Sequence, residues 1–279
     1  MLKDDAHWPR AAAWLKPDAG DSCDLALVGI GANRTSISPT GANQTPTAIR
    51  EALLRYSLQS SAGSLESIRA ADAGDLPDPD ADEPATIARV QELAQRSRLV
   101  VSLGGDNSIT YAAALGAFGS NVATAGLITF DAHHDIREGK SNGSPVRRLI
   151  EEAGLAGSRV VQIGINDFSN SPHYAARAAE LGIRVIHRDE LERRPLEDVV
   201  AEALSIAGAA GGPIHVDVDV DVCDRAFVPG CPASAPGGIT PHQLRQMVSM
   251  VTADARVSSL DITEIDATAD APDQRTVRL

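Results

Sequence analysis

Residues 214–224, IHVDVDVDVCD, set the hardest constraint on how this chain can fold. Asp217, Asp219 and Asp221 alternate with valines, which is the period-two pattern of a β-strand. Three carboxylates therefore share one face while the other face is aliphatic. Like charges along a strand repel, and burying them unpaired is costly. The fold must place cations opposite that face. An EF-hand loop, the other setting in which aspartates alternate, is excluded: counted from Asp217, its sixth and twelfth positions are Val222 and Val228 instead of Gly and Glu.

The acidic strand is one of a series. Short aliphatic runs recur at 24–30, 98–104, 125–131, 159–165, 183–187, 214–220 and 257–265. Helical patterns lie between them, among them 45–57, 83–97 and 240–254, the last begun by a favourable Thr240-Pro241 pair. Near-continuous hydrophobic strands alternating with helices predict an α/β fold, a mainly parallel sheet covered on both faces. With 43% hydrophobic and only 3% aromatic residues, its core rests on Val, Leu, Ile and Ala. No internal repeat interrupts the pattern, and the acidic, Pro-rich stretch 71–85 reads as a surface connection. A single domain over residues 1–279 is expected.

The formal net charge of −13 argues against nucleic-acid or anionic-membrane partners and is compatible with a cationic small substrate or metal ions. Cys23, Cys223 and Cys231 form neither a disulfide framework nor a CxxC site, which points to a reducing compartment. No stretch has the apolar length of a signal peptide or membrane helix, so a cytoplasmic protein is expected.

In open parallel sheets ligands bind beyond the carboxyl ends of the strands. Run 98–104 ends in GGDNSIT, with Asp106 and Asn107 in a turn where either could also cap a helix. Run 125–131 continues as AHHD, so Asp131, His133 and Asp135 stand at i, i+2 and i+4, a mixed nitrogen and oxygen set suited to a divalent metal. The acidic strand leaves through a Pro/Gly-rich loop (224–240) able to wall a site. Run 257–265 places Asp261 and Glu264 at its close.

Taken together, LGGDNSIT, FDAHHD, DVDVDVCDRAFVPG with APGG behind it, and DITEID resemble the ureohydrolase superfamily of arginase, agmatinase and formiminoglutamase. The resemblance runs from residue 29 almost to the C-terminus. It implies a three-layer α/β/α arginase-like fold, two Mn²⁺ ions, and hydrolysis of a carbon–nitrogen bond in an amidine or guanidine. It also implies that Asp131 and Asp219 bridge the ions, that Asn107 and Asp135 complete one, and that His133 and Asp221 complete the other. Glu264 matches the acid that holds the substrate's amidinium, and Asp135 the group that passes the proton. Asp217, where relatives often have Ser, is expected to hydrogen-bond behind the ligands. One departure stands out. The usual residue at 107 is His, and a neutral amide oxygen is a poorer donor than imidazole, so the ion there is expected to be held more weakly.

Other segments resemble formiminoglutamases in particular. Asn142-Gly143 stands where arginases and agmatinases carry His-Gly, and Asn170 and Ser171 match a Ser-Asn-Ser-like turn. Arg137 occupies the position of an arginase contact to the substrate's carboxylate and suits a carboxylate-rich substrate. Arg137, Asn142 and Asn170 are thus the expected substrate contacts, while at least one of Arg147 and Arg148 is expected on a solvated helix face. The resemblance implies hydrolysis of N-formimino-L-glutamate to glutamate and formamide, in histidine degradation, by a homo-oligomer (trimer or hexamer). Two alternatives remain: another ureohydrolase acting on arginine, agmatine or a guanidino acid, and a non-catalytic metal-binding relative. Where this chain reads DQRTVRL (273–279), relatives usually begin a final helix. Cys231 is read as a plain loop residue.

Overall fold

A computed structural model describes residues 5–279. The main sheet has nine strands, numbered in chain order: β1 (Lys16–Pro17), β2 (Cys23–Ile30), β3 (Ala70–Asp75), β4 (Ser97–Gly104), β5 (Gly126–Phe130), β6 (Val160–Ile165), β7 (Arg184–His187), β8 (Ile214–Asp219) and β9 (Val257–Thr263). Their order is β1-β3-β2-β4-β9-β8-β5-β6-β7, with every neighbouring pair parallel. A small antiparallel hairpin joins Gln59–Ser60 to Gly63–Ser64.

The helices are α1 (Ala11–Trp14), α2 (Thr45–Ala52), α3 (Glu83–Arg96), α4 (Ile109–Phe118), α5 (Pro145–Glu151), α6 (Pro172–Glu180), α7 (Leu196–Ala207) and α8 (Pro241–Thr252). Among the described residues none is long and apolar enough to cross a membrane. Alternation along the strands divides the core in two. Ile128, Phe130, Val216 and Val218 pack with residues of α2, α7 and α8. On the opposite face, Leu127 and Val160 pack with α4–α6, and Val28 and Val100 with α3 and α4. This is the three-layer α/β/α arrangement expected from the sequence. The start of α8 follows its sequence: Thr240 caps Gln243 N, the Gln243 side chain returns to Thr240 N, and Pro241 opens the helix.

The stretch 71–85 holds more than a connection, because Ala70–Asp75 forms β3 between β1 and β2. Its sequence, AADAGD, has none of the branched or aromatic residues that mark strands. Arg50 on α2 holds it in place by pairing with Asp72 at 2.7 Å and Asp75 at 2.5 Å. The strand forms through tertiary contacts that local sequence does not reveal.

Candidate metal centre

The four central strands β4, β9, β8 and β5 are neighbours, and their carboxyl ends deliver the polar residues to one place. A tight turn after β4 brings Asn107 in. At Gly105 an added Cβ would lie 2.0 Å from the Ala32 oxygen, so only glycine allows this approach, and the Gly105 oxygen accepts from Glu264 N. Asp135 and Glu264 have φ values of 52° and 62°, the left-handed region that costs energy for side-chain-bearing residues. Such strain persists where the surroundings enforce it, commonly at sites of function.

Two donor groups form there: Asp131, His133 and Asp221, and Asp131, Asp135 and Asp219, the ligand atoms of each lying within 4.8 Å of one another. Asp131 belongs to both. His133 Nδ1 lies 2.7 Å from Asp221 Oδ2 and 3.6 Å from Asp131 Oδ1. Backbone donors fix the carboxylates: Asp221 Oδ1 accepts from Ala132 N, Asp219 Oδ1 from Asp221 N, and Asp131 Oδ1 from His133 N. Asp131 Oδ2 is buried with no partner among the described residues.

Burial and the neighbouring carboxylates push Asp131 and Asp219 well above the usual range. Burial pushes Asp135 up to about 7 and Glu264 up to about 8. For Asp221 burial acts the same way, but the His133 ring and the Ala132 N–H outweigh it and the pKa falls. The Asp221 charge lifts His133 to about 12. Four buried carboxylates and an imidazole converge, and a partnerless oxygen sits on the residue common to both groups. That donor chemistry fits a pair of divalent cations.

Asn107 adjoins this cluster. Its Nδ2 donates to Asp135, and its Oδ1 accepts from Thr110 at 2.7 Å and Thr263 at 3.0 Å. Beside the cluster lies a pocket of about 370 Å³, lined by Asn107, His133, Asp135, Arg137, Asn142 and Glu264 among others. Arg137 is exposed there, and its guanidinium has no carboxylate partner among the described residues.

Asn142 and Asn170 line the pocket, but their amides are engaged by the protein. Asn142 donates to Glu264 Oε1 and accepts from Ile37 N. Asn170 donates to Ala132 O and accepts from His134 N, clamping the loop that carries His133 and Asp135. Neither Arg147 nor Arg148 lies on a solvated face: both are buried. Arg147 donates to the carbonyls of Arg137 and Gly139, while Arg148 stacks 3.7 Å from the Tyr111 ring centroid and pairs with Glu83. Arg147 thus ties the 137–139 segment to α5, and Arg148 ties α5 to α3 and α4.

Asp217 also departs from expectation. It accepts no hydrogen bond on either oxygen among the described residues and lies in register with Asp261. Burial and the Asp261 charge push its carboxyl well above the usual range. Sequence reasoning passed over His134 and Gln162, which bond reciprocally: His134 Nδ1 to Gln162 Oε1 at 2.7 Å and Gln162 Nε2 to the His134 carbonyl at 2.8 Å. Twenty-eight residues separate them, and no local pattern signals such a pair. Cys231 is fully buried next to the acids, and burial raises its thiol pKa well above the usual value. Asp224 fastens the wall loop by accepting from Ala226 N and Gly237 N.

Known proteins resemble this chain in sequence and in fold. A formimidoylglutamase of Halalkalibacterium halodurans is 36% identical over 95% of this chain and 87% of its own length. The crystal structure of formimidoylglutamase from Bacillus subtilis strain 168 superposes with a TM-score of 0.92 at 30% identity, covering 100% of this chain and 90% of that one. A structure of Trypanosoma cruzi formiminoglutamase with (Mn²⁺)₂ shares the fold, with a TM-score of 0.88 at 19% identity over 97% and 94% of the two chains. The sequence profile of the arginase family matches residues 23–279, a span that holds every strand of the site, and the chain belongs to that family.

Proposed function

We propose that this protein is a formimidoylglutamase-type hydrolase that cleaves N-formimino-L-glutamate with water to L-glutamate and formamide. The observation that carries the reading is the pairing of opposite charges in one pocket. Among the described residues, Glu264 has one oxygen free of protein partners for a substrate amidinium, and Arg137 is an unpaired guanidinium for a substrate carboxylate. A substrate with a cationic amidine at one end and carboxylates at the other fits both. The formimidoylglutamase names of the relatives support the same substrate.

Asp131 and Asp219 would bridge two divalent ions, with Asn107 and Asp135 completing one and His133 and Asp221 the other. We take the ions to be Mn²⁺, the metal in the T. cruzi structure. Ions bound there make water acidic enough, with a pKa near about 7, to attack at neutral pH. Glu264 holds the amidinium so that its carbon faces the acids, and Arg137 fixes the far end of the substrate. Asp135 takes a proton from the attacking water and delivers it to the glutamate nitrogen as the carbon–nitrogen bond breaks. Water's oxygen ends as the formamide carbonyl, and its second proton completes the ammonium group of glutamate.

The family resemblance supports a cytoplasmic homo-oligomer, trimer or hexamer, which light scattering on the purified protein tests. The test of function is a substrate panel after Mn²⁺ loading. Formamide release from N-formimino-L-glutamate is expected to exceed urea release from arginine, agmatine and guanidino acids. Faster urea release from any of these contradicts the assignment.

A further inference from the structure

Glu264 presents its two oxygens unequally. Oε1 accepts from the backbone N–H of Asn107 and from Asn142 Nδ2, both at 2.8 Å, which fills its two lone-pair directions. Oε2 has no protein partner among the described residues and is left to the pocket that Glu264 lines. The orientation of the Asn142 amide is set by its other contact, because its Oδ1 accepts from Ile37 N at 3.0 Å, so the amino group must face Glu264. Asn142 stands between β5 and α5, and Ile37 belongs to the segment between β2 and α2. The amide therefore joins two walls of the pocket to the acid.

A guanidinium and a formimino group make different demands on this acid. A guanidinium binds a carboxylate best in the bidentate mode, one N–H to each oxygen. A protonated formimino group has a C–H in place of the third nitrogen and can be held by one oxygen. With Oε1 closed, Glu264 offers the second mode and withholds the first.

We propose that Asn142 is a specificity-determining residue, closing Glu264 Oε1 so that the pocket prefers formimino over guanidino substrates. The proposal rests on the functional reading above. Asn142 positions Glu264 and excludes a competing geometry without touching the reacting carbon. Removing its side chain frees Oε1 for a second N–H of the substrate.

The test compares wild type with Asn142→Ala and Asn142→Ser, each loaded with Mn²⁺ and matched for bound metal and thermal midpoint. The substrates are N-formimino-L-glutamate and N-carbamimidoyl-L-glutamate, the guanidino acid on the same carbon frame. The ratio of formamide-forming to urea-forming kcat/KM is expected to fall about tenfold in both variants. A general loss of packing would lower both activities and leave the ratio unchanged, which overturns the proposal. If a variant turns over neither substrate, calorimetric binding of the guanidino acid replaces the ratio: about tenfold tighter binding than in wild type is expected, and equal or weaker binding overturns it. Formamide release by wild type with an unchanged ratio in the variants leaves the function standing and removes this inference. A wild type that releases only urea removes both.

Discussion

Thr263 donates its hydroxyl to the amide oxygen of Asn107 at 3.0 Å, and Thr110 does the same at 2.7 Å. The amide thereby turns its nitrogen, not its oxygen, towards Asp135. For Asn107 to ligate an ion the amide must turn over. The two hydroxyls permit this, since each can accept as well as donate. A ligand that needs this rearrangement, and that offers an amide oxygen in place of imidazole, binds its ion loosely. Asn107→His is expected to retain both ions through dialysis against metal-free buffer, whereas wild type loses one of them. Metal analysis by mass spectrometry reads the difference, and equal retention would count against the role given to Asn107.

The raised carboxyl pKa values set a pH dependence. In the unfolded chain Asp and Glu titrate near about 4. In the fold Asp135 is pushed up to about 7 and Glu264 up to about 8, with Asp131 and Asp219 shifted the same way. The metal-free fold binds these protons more tightly than the unfolded chain does. The stability they contribute is complete below about pH 4 and is lost as pH rises through 7 to 8. Divalent ions replace the protons, so Mn²⁺ should raise the thermal midpoint more at pH 8 than at pH 5, and loading in weak buffer should release protons. An equal rise at both pH values would contradict this.

Asp217 permits a narrower version of the same measurement. Among the described residues its carboxyl accepts no hydrogen bond, and burial beside Asp261 raises its pKa, so ionising it costs the fold more than it costs the unfolded chain. Asn at this position keeps the shape and can donate to the partnerless Asp261 Oδ1. Asp217→Asn is expected to stabilise the metal-free protein at pH 8 by about 1–3 kcal/mol. The gain should shrink as pH falls through about 4 and vanish below it, where the wild-type acid is neutral in both states. Denaturant melts across that range check it.

Arg137 separates binding from chemistry. Among the described residues its guanidinium pairs with no acid, and Gly143 keeps its stem close, since an added Cβ there would lie 2.9 Å from Arg137 Cδ. Arg137→Ala is expected to lower kcat/KM for N-formimino-L-glutamate roughly 10- to 100-fold, mostly through KM. A substrate lacking the carboxylates should be affected far less. Equal losses on both would show that Arg137 acts only on the fold.

The central strands were legible because burial on both faces makes them continuous aliphatic runs, and the polar residues at their ends were legible by contrast. Asn107, Asp131, His133, Asp135, Asp219 and Asp221 all lie within short motifs; spacing singled out Asp131, His133 and Asp135, and the family resemblance drew the six together as one ligand set. The structure brings them to one place, with Asp131 common to both donor groups. What the sequence concealed depends on contacts between distant segments. β3 is an unremarkable acidic run until Arg50 pairs with it. Arg148 looks like a surface residue until Tyr111 and Glu83 close over it. The amides of Asn142 and Asn170 look free for substrate until Glu264 and the Ala132 carbonyl engage them.

In the function proposed, the residues around Asp131 form one binuclear centre that performs the hydrolysis. The decisive measurement is the number of ions bound per chain at equilibrium during Mn²⁺ titration, followed together with formamide release from N-formimino-L-glutamate. Two ions per chain are expected, with turnover rising as the second binds, and Asp131→Ala should lose both ions and the activity. Full turnover with a single ion, or retained turnover in Asp131→Ala, would contradict the account.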